Sequence, residues 1–463
     1  MRWITPRVGS LLATFGGLWQ RRALHGTHIP YHGNATWGIC MSEAGPLSLG
    51  QLSVWHDIRD LPAARWHEPN NAAAWPLPPG TTAARARTAL RAVVARHPSL
   101  RTRYDVHDPA APRQLAPDAD FDDALPTLDA APTDHREAAG PDELAARLAG
   151  EPFDLGRHHG WRARLLTHRG DPSHLLFVKH HIAADAWAQE LLHREFRQAL
   201  ADPDGLGPTP PGPADLAAAQ HDPAGLRRQA AALDHWAQLL HGAPSVALPR
   251  TPGAEGDTVQ ATLRSAAARP AAHAVAERAR VSVASVVLAA YVHTVADLCD
   301  ADTLLVQLMS ANRFGGRWKD LVTSMNQWVP ALVERARTAD LVALADAVHW
   351  SSLAAFRHGM HDVTAVAALR ERTPHAAEPA CAFNYVALPD SSPLDPLPIP
   401  ASAEEPVLTW EEPFTTIGPR CYARALESDR DLTVRLTVKD LGRDRCAALL
   451  TGMHTTLLAA AAA

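Results

Sequence analysis

Residues 177–192 read FVKHHIAADAWAQELL, an apolar run that ends on two adjacent histidines and is followed, four residues after the second, by an aspartate. If a strand runs to His181, its period of two sends His180 and His181 to opposite faces, so only one of them can face a given cleft. Asp185 then falls in the turn before AWAQELLHREFRQALA (186–201), where a carboxylate can cap the helix or hold a cation. A neutral imidazole offers one donor and one acceptor and titrates near neutrality. A histidine in a cleft can therefore take a proton from an attacking amine or hydroxyl. A strand-end pair of partly exposed structural histidines satisfies the same spacing, and spacing alone leaves both readings open.

Working outward, WRARLLTH (161–168) and HLLFVKHH (174–181) are apolar runs separated by turn residues, which predicts a hairpin. AARARTALRAVVARH (83–97) places Ala86, Leu90, Val93 and Val94 on one helical stripe, and LRTRYDVHD (100–108) reads as a strand leaving that helix. Residues 105–142, rich in Pro, Asp and Ala, read as a loop with one short strand. The Pro- and Gly-rich stretch DPDGLGPTPPGPAD (202–215) interrupts both helix and sheet and marks a boundary. It divides the chain into a lobe at 43–205, a linker at 206–225 and a second lobe at 226–463. Beyond it, LRRQAAALDHWAQLLHG (226–242) is an amphipathic helix ended by Gly242, and VSVASVVLAAYVHTVADLC (281–299) is apolar nearly all round, as a buried helix should be. TLLVQLMSANR, CAFNYVAL and DLTVRLTVKD read as strands. Helices alternating with strands in both halves predict an α/β, or α+β, sandwich used twice.

A chain of 463 residues suits two such units, and 46% apolar against 20% charged residues marks it as globular. A mild net charge of -6 gives no basis for a nucleic-acid partner. Five scattered cysteines with no CxxC fit a reducing compartment, so a cytoplasmic location is expected. Residues 1–42 form a basic segment carrying Arg2, Arg7, Arg21 and Arg22 and no acid around VGSLLATFGGLW. That stretch is too short to span a bilayer, and no membrane association is expected. Nucleotide-binding glycine motifs, GxSxG and HExxH are absent. His358 and His361 could share a helical face, but without a third ligand they read as a surface pair, and no metal is expected.

The HHIAADA stretch resembles the HHxxxDG motif of the condensation domains of nonribosomal peptide synthetases. Other segments resemble that family's landmarks in the same order: PLSLGQLSVW (46–55), keeping Ser48, Gln51 and Trp55 with Ser53 where the family has arginine; RHPSLRTRY (96–104); EPFDLGRHHGWRARLL (151–166); and LDHWAQLLHGAPSVALP (233–249). The resemblance runs from about residue 45 to the C-terminus and rests on order and spacing. It implies two chloramphenicol-acetyltransferase-like lobes in a V-shaped pseudo-dimer with a central tunnel. It further implies a carrier-bound acyl thioester entering from one side and an amine from the other. His181 matches the family's catalytic histidine, His180 a mainly structural one, and Asp185 the aspartate that pairs with an arginine, for which Arg313 is nominated. Ala186 stands in place of the motif glycine at a helix start, where alanine is well suited. Ala186, Trp187, for which core packing is expected, and Asn326 and Gln327 in TSMNQWVP (323–330) are candidates for the tunnel wall; the family's late PFE segment is missing.

The expected activity is that of a free-standing, monomeric condensation enzyme forming an amide, with no bound cofactor. The phosphopantetheine arm of a peptidyl or acyl carrier protein would tether the donor, and a small-molecule or carrier-bound amine would be the acceptor. Ester formation, or a non-catalytic module that docks carriers, are the alternatives.

Overall fold

The hairpin that carries the histidines forms the middle of the first lobe's sheet in the computed structural model, which describes residues 44–121, 125, 133–134, 140–314, 316–387, 405–413 and 417–463. The basic segment 1–42 lies outside the described residues. The first lobe runs β1 (Gly45–Pro46), α1 (Leu49–Ile58), β2 (Asn70–Pro76), α2 (Ala83–Arg96), β3 (Tyr104–Asp105), β4 (Arg113–Gln114), β5 (Thr133–Asp134), α3 (Pro141–Ala149), β6 (Trp161–His168), β7 (Asp171–His180) and α4 (Ala186–Ala201). Its main sheet has the order β2-β7-β6-β5, and β1-β4-β3 form a small second sheet. Arg169 and Gly170 close the β6–β7 hairpin with φ of 55° and 93°, the left-handed pair that suits the twist of a two-residue turn.

β7 is covered on both faces, and its alternation sorts the core. Leu175 and Phe177 pack with Leu90, Val93 and Val94 of α2 and Leu191 and Leu192 of α4. Leu176 and Val178 pack with Val54, Trp55 and Ile58 of α1 and Leu148 of α3. The helical stripe read at Ala86, Leu90, Val93 and Val94 is buried throughout, and Thr82 caps that helix by accepting a hydrogen bond from the Arg85 amide. The strand expected after it is brief: Pro98–Arg101 make a 3₁₀ turn and only Tyr104–Asp105 pair. Among the described residues between 105 and 142 there are two short strands, β4 and β5, where one is expected.

The second lobe contains α5 (Pro213–His221), α6 (Pro223–Gly242), β8 (Thr258–Ser265), α7 (Ala268–Ala279), α8 (Val283–Cys299), β9 (Thr303–Ser310), β10 (Gln327–Glu334), α9 (Leu341–Phe356), α10 (Val363–Arg372), β11 (Cys381–Ala387), β12 (Val407–Glu411), β13 (Cys421–Glu427), β14 (Leu432–Lys439) and α11 (Gly442–Ala462). Its sheet has the order β10-β9-β11-β13-β14-β8-β12, parallel across β9, β11 and β13 and antiparallel elsewhere. One core cluster runs from Leu248 to Leu457, with α8 buried along its middle from Val286 to Ala296. Among the described residues no single helix is long and apolar enough to cross a membrane.

The linker differs from expectation. The proline-rich residues 206–225 include α5, because Pro213 occupies the first helical turn, where it costs no hydrogen bond, and Asp215 accepts one from the Gly212 amide. α5 is docked rather than free: Gln220 accepts a hydrogen bond from the Leu49 amide at 2.9 Å, and Leu216 packs with Leu321 and Met325.

The lobes interlock. Val322 lies in the first-lobe cluster beneath α2 and α4, and Ile417 in the cluster beneath α1 and α3. At Gly50 in α1 a β-carbon would sit 2.3 Å from the Ser324 carbonyl oxygen and 2.7 Å from the Met325 Cα. Both obstacles are backbone and cannot swing away. Gly50→Ala should therefore destabilise the protein by about 1–3 kcal/mol, the usual cost of overpacking, read as a lower urea midpoint.

Candidate active site

Strand β7 ends at His180, and the next five residues form a turn held from several sides. Continuing the alternation of β7, Lys179 takes the side of Leu175 and Phe177, and His180 takes the side of Leu176 and Val178. There the His180 ring meets Phe153 edge-on at 6.2 Å, and its Nδ1 accepts a hydrogen bond from the Ile182 amide at 3.1 Å. The three carbonyls that follow are each engaged: Ile182 by the Tyr104 hydroxyl at 3.5 Å, Ala183 by the Ser99 hydroxyl at 2.6 Å, and Ala184 by the Lys179 ammonium at 2.6 Å. Tyr104 in turn accepts from Gln51 at 3.3 Å. Gln51 and Ser48 also close the capping box of α1. The segments PLSLGQLSVW and RHPSLRTRY thus brace the histidine turn.

Asp185 performs both tasks its position allows. It caps α4 by accepting from the Ala188 amide at 2.9 Å, and its two oxygens accept from Arg313 Nη2 at 2.8 and 2.9 Å. The pair is buried, with side-chain exposures of 2% and 4%. Arg313 also donates to the carbonyls of Trp318, Leu321 and Thr323, and Asp185 accepts from the Met325 amide. The structure therefore brings together two residues 128 positions apart, from different lobes, with nearly all their polar atoms occupied.

His181 points to the second lobe. Its amide donates to the Pro69 carbonyl, and its Nδ1 lies 3.2 Å from the Ser324 hydroxyl. Ser324 has one proton, which it donates to Asn326 Oδ1 at 3.2 Å. Its oxygen therefore accepts from His181, so Nδ1 carries the ring proton and Nε2 the lone pair. The residue is 1% exposed. Burial first, and the charge of Lys179 second, push the imidazole down to about 3, against a hydrogen bond to its own backbone. Burial does the same to His180, again to about 3, and lowers Lys179 to about 7, with Asp185 opposing. Both histidines are thus neutral at pH 7.

The remaining candidates divide. Ala186 is the first residue of α4 and buried; its backbone is not left-handed, so the methyl in place of a glycine proton is accommodated without strain. Trp187 is not in the core: its indole donates to the Lys319 carbonyl at 2.9 Å, and Arg313 stands over its ring at 5.8 Å. Asn326 is partly buried and engaged with Ser324. Gln327 does not serve as a free polar wall residue, because its amide nitrogen donates to the His361 carbonyl at 2.8 Å and its oxygen accepts from the His361 amide at 3.4 Å. His361 is not on the surface either; it is buried against Trp236 at 5.4 Å between ring centres, while His358 stacks on His235 at 4.5 Å. Among the described residues no group of three or more His, Cys, Asp or Glu is placed to hold a metal ion.

Two site residues escaped the reading of the sequence. Lys179 had a signal, a lysine inside the apolar run LLFVKHH, which in a strand covered on both faces must be buried. Ser324 had none, since its role depends on a partner 143 residues away. A cavity of about 650 Å³ opens nearby, between Arg228 and Arg357 on its polar side and Phe314, Trp318 and Phe356 on its apolar side. Asn312, in its lining, donates to the Met325 carbonyl at 2.8 Å, one residue from Ser324.

Two measurements probe the site's energetics. Asp185→Ala should cost about 3–5 kcal/mol in unfolding free energy, because it leaves a buried guanidinium without its counter-charge; the urea midpoint reads this. The unfolded histidines bind protons near pH 6.5, whereas folded His180 and His181 bind theirs only near about 3. Their contribution is therefore complete above pH 6.5 and is lost as the pH falls toward 3. His181→Gln should remove about one proton from the uptake on unfolding between about pH 6 and 4, measured from the pH dependence of the midpoints.

A family model for the condensation domain matches residues 67–377. A linear gramicidin synthase of Brevibacillus parabrevis is 29% identical over 228 residues, covering 46% of this chain and 4% of that protein. The chain thus spans a small part of the curated relatives it matches. Among solved structures, a condensation domain that mediates chain release from the enacyloxin polyketide synthase superposes with a TM-score of 0.70 at 23% identity, covering 91% of this chain and 84% of that one. The epimerization domain from the third module of tyrocidine synthetase B superposes at 0.69 with 15% identity, covering 91% and 98%. At these identities the structural likeness speaks for the fold alone, and it agrees with the two mixed helix-and-sheet lobes described above. Since the family model spans more than half of the sequence, the chain belongs to the condensation-domain family.

Proposed function

We propose that this protein is an acyltransferase that condenses a carrier-tethered acyl thioester with an amine at His181. One observation carries the reading: the junction of the lobes presents a neutral imidazole whose tautomer is set by Ser324 and Asn326, on a turn locked by the Asp185–Arg313 pair. In this reading the acceptor nitrogen attacks the thioester carbonyl and the C–N bond forms. The tetrahedral species then collapses with cleavage of C–S, and the amine proton passes by way of Nε2 to the departing sulfur. A ring held near 3 is a weak base, so its burial favours a role in accepting the amine's N–H bond and orienting the lone pair over prior proton removal. A thioester is already activated, and alignment together with exclusion of water accounts for most of the advantage. The cavity beside Asn312 suits the donor's arm: two arginines for a phosphodiester and aromatic rings for the pantetheine chain.

With His181 only 1% exposed, the ring is shielded from water. The same burial favours a second reading, a condensation-like module that docks carriers without catalysis. Ester formation differs from the first reading only in the acceptor atom. Incubation with acyl-loaded carriers and candidate amines, with products read by intact mass, separates these. His181→Ala should abolish product while leaving carrier binding unchanged, and equal turnover in that variant would remove the enzymatic assignment. Ser324→Ala should lower kcat about 10-fold, less than the ~10²–10⁴-fold that general acid–base assistance supplies in full, with KM for the donor little changed.

A further inference from the structure

We propose that Arg424 holds the carboxylate of the acceptor, so that the amine partner of the reaction is one that carries a free acidic group. This rests on the acyl-transfer reading above and names the chemistry of its acceptor. Arg424 lies on β13, where Cys421, Ala423 and Ala425 face the core shared with α8 and the alternate residues face the other way. On that second face Tyr422 packs with Ala382, Trp328 and Met309, and Arg424 stands beside Asn384 of β11 and Arg435 of β14. The Met309 sulfur accepts a hydrogen bond from the Asn326 side-chain amide at 3.3 Å, and Asn326 is the residue that orients Ser324 against His181. The arginine thus shares a sheet face with the groups that reach the imidazole. It lies two strands from Met309, or about 10 Å by the usual strand spacing.

Its surroundings supply no counter-charge. Three arginines are buried among the described residues, Arg264, Arg313 and Arg424. Arg264 holds Asp431 at 2.6 Å and Arg313 holds Asp185 at 2.8 Å. Arg424, at 6% exposure, makes no hydrogen bond or ion pair among the described residues. Its Nε is sealed without an acceptor, whereas its two terminal nitrogens are not sealed and stay open to a small group. Trp328 Nε1, on the same face, is a second sealed donor without an acceptor. Glu411 is taken by Arg435, Gln260 and Thr262. Burial lowers the Arg424 guanidinium only to about 10, so it stays charged at pH 7. A buried cation left unpaired is costly, and the planar fork of a guanidinium matches a carboxylate in two parallel hydrogen bonds. The strand order β10-β9-β11-β13 decides which substrate supplies it. α6 and α9, which line the cavity assigned to the donor's arm, pack against β10. Arg424 lies on the opposite side of β9, so an anion there belongs to the acceptor.

The test uses the whole protein, with 4-aminobutanoate, 6-aminohexanoate and 8-aminooctanoate each titrated calorimetrically at pH 7 against its own primary amide. At the best-fitting length the carboxylate should bind about tenfold more tightly than the amide, the least that a hydrogen bond to a charged group is worth. Arg424→Gln should erase that preference, and Arg424→Lys should keep part of it. Arg424→Met should leave the urea midpoint unchanged or raise it, since no protein partner is orphaned. A fall as large as that expected of Asp185→Ala would mark Arg424 as a structural partner and overturn the proposal. No preference at any length, a preference that survives in Arg424→Gln, or tighter binding of 4′-phosphopantetheine at Arg424 than of any of the amino acids would each overturn it too. His181→Ala should keep the preference. A preference intact alongside unchanged turnover in His181→Ala would sink the acyl-transfer reading and leave a carboxylate site standing. Loss of turnover in His181→Ala, with no preference in the unmodified protein, would do the reverse.

Discussion

The ion pair between Asp185 and Arg313 is the constraint on which the arrangement of the lobes and the placement of His181 depend. Two charges taken out of water at side-chain exposures of 2% and 4% are tolerable only if their remaining hydrogen-bonding capacity is met. Here it is met by backbone from both lobes at every polar atom but the Arg313 Nε. Arg313 is shared among three carbonyls of its own lobe, and Asp185 accepts from Ala188 in the first lobe and Met325 in the second. The pair therefore fixes the 318–325 segment of one lobe to the start of α4 in the other. It acts less as a source of net stability than as a device that allows only one register between the two surfaces.

That register explains the histidine. His181 lies four residues before Asp185, and Ser324 one residue before Met325, so the clamp on Asp185 and Met325 brings Ser324 to the imidazole. The turn between is held by carbonyl contacts from Ser99, Tyr104 and Lys179, which leaves the ring little freedom. Burial makes it a neutral hydrogen-bonding group with a defined tautomer rather than a titrating one. Lys179 contributes in two ways: it satisfies the Ala184 carbonyl, and its charge further disfavours an imidazolium.

The departures from expectation share a cause. Gln327 is a candidate for the tunnel wall and His361 for the surface in the sequence, because nothing local distinguishes a free amide from one that pairs with backbone 34 residues away. The stretch 206–225 looked like a flexible linker because proline is a breaker in a helix interior and an initiator in its first turn, and only the docking of Gln220 and Leu216 selects the second case. Trp187 looked like core and lies instead at the contact between lobes, where its indole proton finds the Lys319 carbonyl.

The sequence alone determined the β6–β7 hairpin, α2, α4 and the buried stripe of α2, because the period of two in β7 and the stripe of α2 are local patterns that burial must respect. It also determined that His181 and Asp185 stand at a strand end and a helix cap, since the apolar run, the histidine pair and the spacing to α4 are contiguous. Which groups face them was decided only by the tertiary structure. Arg313, Ser324 and Asn326 arrive from more than 120 residues away, and their approach follows from the close packing of Gly50, Val322 and Ile417 across the lobes. Electrostatics followed packing: depth and neighbouring charge, which no run of residues encodes, hold the imidazole neutral.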